Sequence, residues 1–291
     1  MNINLKTELP PGDCLTLTAA IYSLHKQFPN LYKTSVETKH NEVFKNNPNI
    51  SKKDETYVDI EANYPSVHRC NQVSSCFING YTEDLATQLE IPLKLQTNRP
   101  HLYLTDEEKN KYQDEKPYWV IISGGKSDFT CKHLPQDYLQ QVVNNQIHKT
   151  KFIQPIRSTD INYPLENVKR LLNISLRETF SCIYNCEGCI GPVTLWQHIA
   201  AAFEKPYICV AGGREPATWI QYPNQHTLHT IGTMDCCKEA CWKSRVMPLM
   251  NDKHDKSLCE NPIFYEQQWV PKCLLKITPN QITNTMEMIC N

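Results

Sequence analysis

The sequence predicts an α/β protein of two lobes, closed by a C-terminal segment held by cysteines rather than by an apolar core. Three observations carry this. Short apolar runs alternate with amphipathic ones along most of the chain, the pattern of parallel strands joined by helices. The length, 291 residues, is about twice the common domain size and suits two cores better than one. Two runs of like design, residues 118–122 leading into Ser123-Gly124-Gly125-Lys126 and residues 207–210 leading into Ala211-Gly212-Gly213-Arg214, each end a strand in a Gly-Gly-cation loop.

The elements follow in order. Gly12-Asp13 precedes Leu17, Ala20, Ile21, Leu24 and Phe28, apolar positions on one helix face, and Pro29 stops the run. Asp13 therefore stands at a helix N-terminus, where exposed N–H groups favour negative charge. Strand-like runs at 34–38 and 57–60 come next, then a helix at 81–89 with Tyr81, Leu85 and Leu89 on one face. The stretch 105–116, eight of whose residues are charged, reads as the linker between an N-terminal lobe, 1–115, and a C-terminal lobe, 116–291. Beyond the strand at 118–122 the pattern predicts an amphipathic helix through Leu139, Val142 and Val143. A strand at 151–154 and a helix at 175–183 follow. A further helix spans 192–203, with Pro192 in its first turn and Leu195, His198, Ile199, Ala202 and Phe203 on one side. In such sheets ligands gather beyond the carboxyl ends of the strands. Residues 233–272 read as cysteine-rich loop, and a short helix from Pro279 closes the chain.

Composition removes several function classes. A formal net charge of -1 provides no global field for nucleic acid or an anionic membrane. No window approaches the roughly 18 apolar residues of a membrane helix, and residues 1–9 are too polar for a signal peptide. The expectation is a cytoplasmic protein, whose 14 cysteines are then buried thiols, metal ligands or nucleophiles rather than disulfides.

Chemistry enters at three places. With only 9 glycines against 19 prolines, the paired glycines stand out. Glycine lets backbone N–H groups approach a phosphate, and Lys126 or Arg214 would neutralise it; the plainer reading is two tight turns. Neither loop has the spacing of a dinucleotide or NTPase motif. Cys237, Cys241, Cys259 and Cys273 form C-x3-C-x17-C-x13-C, with Cys236 spare, in a segment of 236–273 that is short of apolar residues. Four thiolates suit tetrahedral zinc or a mononuclear iron, which can fold a loop that has no core; the alternative is scattered buried thiols. Cys182, Cys186 and Cys189 lie at a helix-to-strand junction and read as core. Asp13 alone reads as a helix cap, and His198 alone as a core histidine.

Taken together, the segments resemble one family. Gly12-Asp13-Cys14-Leu15, leading into a helix that ends Gln27-Phe28-Pro29, looks like the opening Gly-Asp loop of the heptosyltransferase-type glycosyltransferases, family 9 with the GT-B fold. Ser123-Gly124-Gly125-Lys126 followed by Thr130-Cys131-Lys132-His133-Leu134-Pro135 resembles that family's strand-loop-Lys element. Gly191-Pro192-Val193-Thr194 with His198-Ile199-Ala200-Ala201-Ala202 resembles its diphosphate-binding helix, and Ala211-Gly212-Gly213-Arg214-Glu215-Pro216 stands where its last glycine loop belongs. The cysteine tail resembles the iron-binding element of the heptosyltransferases that modify autotransporter proteins.

The resemblance implies two Rossmann-like lobes and an inverting transfer of a sugar, heptose by analogy, from a nucleoside-diphosphate donor to a hydroxyl of a protein or surface glycan. Asp13 matches the general base, Lys132 the lysine on the diphosphate, Thr194 the helix N-terminus that holds it, and His198 a histidine of that helix. It also implies a structural iron or zinc and a homo-oligomer. The chain departs from the family at Val193, where an acidic residue is expected, and offers no match in 154–163 for the acidic ribose contact. Two rivals remain: a catalytically reduced protein of the same fold that binds a sugar nucleotide or scaffolds an assembly, and a metal-dependent regulator reading redox through its cysteines.

Overall fold

The computed structural model describes residues 1–65, 75–124, 132–157, 164–241, 259, 262–266 and 268–290. Gly125 and Lys126, both expected in a phosphate loop, lie outside the described residues. The first lobe is built on a parallel sheet, β2-β1-β3, of β1 (Asn2–Lys6), β2 (Lys33–Glu37) and β3 (Val58–Glu61). The central strand is one that the sequence reading passed over as a polar start. In β1 only Ile3 and Leu5 are apolar and fully buried, while Asn4 and Lys6 face the other way in the two-residue period of a strand. That second face carries a charged network. Asp59 takes Lys6 at 2.7 Å, Lys53 at 2.8 Å and the Asn4 amide at 2.8 Å.

Helix α1 (Pro11–Gln27) packs on the apolar face. It is buried nearly all round, from Cys14 through Leu24, because it lies between this sheet and a helix of the second lobe. Its polar side chains turn inward onto their own backbone: Thr16 donates to the Asp13 carbonyl at 2.8 Å and Ser23 to that of Ala19 at 2.7 Å. This is how a helix without a polar face stays satisfied. Helix α2 (Gly80–Gln88) covers the same core with Tyr81 and Leu85. The predicted linker contains α3 (Asp106–Asn110), capped by Thr105 and Glu108 in a reciprocal box. It is anchored as well as polar. Arg177 holds the Glu108 carboxylate in a two-pronged ion pair and donates to the Tyr103 carbonyl at 2.8 Å and the Glu42 carbonyl at 3.0 Å.

The second sheet has six parallel strands in the order β6-β5-β4-β7-β8-β9. They are β4 (Trp119–Ile121), β5 (Phe152–Ile156), β6 (Lys169–Leu172), β7 (Gly188–Gly191), β8 (Tyr207–Gly212) and β9 (Gln225–His229). Counted from its first strand this is the doubly wound order 3-2-1-4-5-6, whose switch point falls between β4 and β7. Its helices are α4 (Gln136–Gln146), α5 (Leu176–Asn185), α6 (Leu195–Ala202) and the short α7 (Ala217–Ile220). Helix α5 begins at a Ser175–Glu178 capping box. Helix α6 begins later than the sequence suggests: Thr194 is its N-cap and Pro192 lies before the first turn. Cys182, Cys186 and Cys189 are fully buried, as their junction position predicts.

One continuous cluster of buried side chains runs from Ile3 and Leu5 through Leu17 and Leu24 to Ile199, Val120 and Ile122, so the two sheets share a core across α1 and α6. The cysteine-rich stretch, expected as loop, contains a hairpin of β10 (Pro262–Tyr265) and β11 (Gln268–Pro271). Helix α8 (Pro279–Cys290) then packs on α4 and β8, burying Ile282 and Met286. No helix among the described residues is long and apolar enough to cross a membrane.

Candidate active site

The switch point sets where chemistry belongs. The chain leaves β4 toward Gly124 and Lys132, and leaves β7 through Pro192–Thr194 into α6, so both segments lie beyond the carboxyl ends of adjacent strands. In the first sheet β1 leads directly into α1, which carries Asp13 in its first turn. The two carboxyl ends meet. A Cβ placed on Gly12 would lie 3.4 Å from the Cα of Leu195 and 3.4 Å from Cδ2 of His198, so the start of α1 lies against the first turn of α6. A Cβ there would just touch that turn, so the two helices approach closely at this point.

Asp13 has a partner the sequence did not suggest. Tyr64, buried just after β3, donates its hydroxyl to the Asp13 carboxylate. Burial first, and the Asp13 charge second, hold the Tyr64 hydroxyl well above its ordinary pKa, so it stays a donor. Tyr64 stands edge-on to Tyr81 at 5.0 Å and tilted against Phe77 at 5.4 Å. Phe77 stacks on His198 at 5.3 Å and meets Trp219 edge-on at 5.5 Å. An aromatic seam thus joins the lobes directly behind Asp13.

His198 is buried, and its Nδ1 shares a 2.7 Å hydrogen bond with the Tyr222 hydroxyl. Burial, and then the nearby Lys132 charge, push its pKa down to about 3, so the ring is neutral. These are the features of a satisfied core histidine, set beside Lys132.

Lys132 is one-fifth exposed, and its Nζ lies 2.9 Å from the Glu215 carboxylate. Glu215 is itself buried and also pairs with the Arg214 guanidinium. Burial pushes its carboxyl up, but Arg214 and Lys132 outweigh burial and hold it below the usual carboxylate range. Glu215 belongs to the Ala211–Pro216 loop noted in the sequence, yet a glutamate in a loop reads as solvated. Nothing in the sequence pairs it with a lysine eighty residues earlier. Thr194 is the N-cap of α6 but makes no capping hydrogen bond with its side chain; helix N-termini are where anions are held in many sites. A groove with about 370 Å³ of empty space, lined among others by Arg99, Glu204 and Asn224, lies toward the other end of α6 and includes none of Asp13, Lys132 or Glu215.

The second glycine pair is engaged elsewhere. Gly212 has φ +65°, and a Cβ there would come within 2.8 Å of Leu274 and 3.3 Å of the Cys273 sulfur. At Gly213 a Cβ would lie 2.8 Å from the Cys237 sulfur. The Cys241 amide donates to the Gly213 carbonyl at 2.9 Å. The small residues let the cysteine segment close onto the end of β8.

Cys237, Cys241, Cys259 and Cys273 are drawn from three stretches of chain toward this one loop. Cys241 senses Cys273 and Cys259, while Cys273 senses Cys237 and Cys236. Burial pushes the Cys241 thiol up to about 12, opposed by Arg214. As arranged, no group of three His, Cys, Asp or Glu among the described residues is close enough to hold a metal ion. The donor set gathers at one loop without being drawn into ligand geometry.

No family model and no curated protein matches the sequence. Solved structures do match in three dimensions. A family 9 glycosyltransferase from Veillonella parvula superposes over 99% of this chain and 96% of its own, with TM-score 0.68 and 12% identity. The fold is that of the family 9 glycosyltransferases. E. coli heptosyltransferase WaaC, solved with ADP, matches over 99% of this chain and all of its own (TM-score 0.64, 12% identity). The iron-containing dodecameric glycosyltransferase TibC of enterotoxigenic E. coli matches over 99% of this chain and 76% of its own (TM-score 0.66, 14% identity). TibC has also been solved with ADP-D-beta-D-heptose. The heptosyltransferase fold expected from the sequence motifs is therefore present over nearly the whole chain.

Proposed function

We propose that this chain is an inverting glycosyltransferase that moves a sugar, a heptose, from an ADP-linked donor to a hydroxyl of a protein or surface-glycan acceptor. The observation that carries the reading is the packing of Gly12-Asp13 against the first turn of α6, whose His198 neighbours Lys132. On this reading Asp13 from one sheet and Lys132 from the switch crevice of the other face a common ligand, inside a fold whose solved relatives are heptosyltransferases.

In the proposed reaction the Asp13 carboxylate takes the proton of the acceptor hydroxyl as its oxygen attacks the anomeric carbon. The bond from that carbon to the β-phosphate oxygen breaks on the opposite face, its electron pair leaves with the nucleoside diphosphate, and the configuration inverts. Lys132 meets the charge that develops on the diphosphate, with Gly124 and the N-terminal end of α6 at Thr194 supplying N–H groups. Tyr64 keeps the Asp13 carboxylate aimed. Residues 1–115 form the acceptor side and 116–291 the donor side.

The four cysteines Cys237, Cys241, Cys259 and Cys273 would hold one iron or zinc. Four thiolates close its coordination sphere, so its contribution is to fold the segment, with no open position for substrate. The closeness of Cys273 to Gly212 and of Cys237 to Gly213, with the Cys241 amide bonded to the Gly213 carbonyl, supports this reading. The dodecameric state of TibC makes a homo-oligomer the assembly to look for by light scattering. Val193, packed into the shared core where the family pattern has an acid, favours a second reading in which the protein binds a sugar nucleotide without turning it over.

Thermal shift against a panel of nucleotides and nucleotide sugars separates these. Selective stabilisation by ADP and ADP-heptose over UDP and GDP sugars is expected, growing with the logarithm of ligand concentration. ADP release in the presence of acceptor then divides enzyme from binder. Indifference to every nucleotide on the panel would defeat both.

A further inference from the structure

Glu215 is a charged side chain that the proposed chemistry does not use. Its carboxylate has about 1% of its surface exposed and sits between the Lys132 ammonium, 2.9 Å away, and the Arg214 guanidinium. An ionised carboxylate so deeply buried persists only when it is paired on good geometry. Lys132 is the more exposed partner, at one-fifth, against about one-tenth for Arg214. A lysine that is paired with a buried carboxylate is held in place rather than left to sweep through its rotamers.

The position of Glu215 is over-determined from the other side as well. The cysteine segment grips the two residues before Arg214. The Cys241 amide bonds to the Gly213 carbonyl at 2.9 Å, and Cys237 and Leu274 fill the sides where a Cβ would lie on Gly213 and Gly212. The loop that carries Glu215 is thereby clamped to the C-terminal segment, while Glu215 reaches back to the segment after β4.

We propose that Glu215 is the positioning residue for Lys132, holding its ammonium and the Arg214 guanidinium together at the carboxyl ends of β4 and β8 as a site for a diphosphate. Without the carboxylate the two cations repel, and Lys132, with four rotatable bonds, swings to solvent. This rests on the nucleotide-sugar reading for its ligand, but the Lys132–Glu215 link can be tested without any ligand.

The experiment uses the full chain, with Glu215→Gln, Glu215→Asp, Lys132→Met and the Glu215→Gln/Lys132→Met pair. Binding of ADP and of adenosine is measured by calorimetry, and unfolding midpoints are recorded without ligand. Glu215→Gln is expected to weaken ADP tenfold or more, to leave adenosine within about twofold, and to cost little further ADP affinity once Lys132→Met is present. Glu215→Asp, which keeps the charge one methylene shorter, should recover part of the ADP affinity. The midpoint shifts of the two single variants should fail to add in the pair, as expected of residues in contact. Equal weakening of ADP and adenosine would make Glu215 merely structural, and tighter ADP binding by Glu215→Gln would make it a competitor of the diphosphate; either overturns the proposal. A wild-type chain that binds neither ADP nor adenosine fails the nucleotide reading instead. Additive midpoint shifts would then refute the Lys132 link on their own.

Discussion

Replacing Asp13 by Asn tests the proposed chemistry with least disturbance to the fold. Asn keeps an oxygen at the carboxylate position, so Tyr64 retains an acceptor for its buried hydroxyl. What is lost is charge assistance. A hydrogen bond to a charged group contributes about 1.5–3 kcal/mol and a neutral one about 0.5–1.5, so the stability cost is about 1 kcal/mol. Against a folding free energy of about 5–15 kcal/mol, well over nine-tenths of the molecules remain folded. Removal of a general base, by contrast, typically costs about 100-fold or more in turnover, or about 2.7 kcal/mol in the barrier. The two effects are therefore separable. We expect Asp13→Asn to unfold within a few °C of wild type, to bind ADP as tightly, and to release ADP from the donor at least about a hundredfold more slowly in the presence of acceptor. Asp13→Ala should be less stable than Asp13→Asn, because it strands the Tyr64 hydroxyl at a cost of about 1–3 kcal/mol. Wild-type turnover by Asp13→Asn would show that another group takes the proton.

Three further outcomes follow from the same structure. Cys241→Ser or Cys273→Ser should lower the unfolding midpoint and remove stoichiometric iron or zinc from the preparation. Elemental analysis that finds no metal in folded wild-type protein would return these cysteines to the role of buried thiols. Stability should fall on the acid side because of His198. Its folded pKa, about 3, lies below the unfolded 6.5, so its contribution is full above that value and is lost as the pH drops through 6.5 toward 3. The loss by pH 5 is about 2 kcal/mol, and denaturant melts of His198→Gln at pH 5 and pH 8 should differ by correspondingly less than those of wild type. Arg177→Ala should destabilise by about 3 kcal/mol or more, since it leaves the half-buried Glu108 carboxylate without its partner. A cost within 0.5 kcal/mol, the usual size of an exposed pair, would mean the linker is not held by that contact.

Several features were legible in the chain because they are local. The apolar spacing of Leu17, Ala20, Ile21 and Leu24 needs only the helical period, and it found α1. Ser175 opening α5 and Pro279 opening α8 are end signals read over a few residues. The Gly-Gly runs correctly marked the ends of β4 and β8, and ordered motifs matched a fold that the solved structures share over nearly the whole chain. The strands that escaped notice are four- and five-residue pieces with weak patterns, such as Gln225–His229 or Asn2–Lys6. Two apolar residues in alternation are too few to separate a strand from a turn, and β1 becomes recognisable only when paired on both sides.

Side-chain partnerships were decided by the tertiary structure alone. Asp13 and Tyr64 are fifty-one residues apart, and Lys132 and Glu215 eighty-three. No local rule couples residues at those separations, because the contact energy is realised only after the chain has closed the loop between them. The Gly212-Gly213 pair shows the same limit from the other direction. The sequence marked a position where something must come close to the backbone. Only the packing revealed that Cys237, Cys273 and Leu274 occupy that space, since a missing Cβ records that room is needed and carries no record of what fills it.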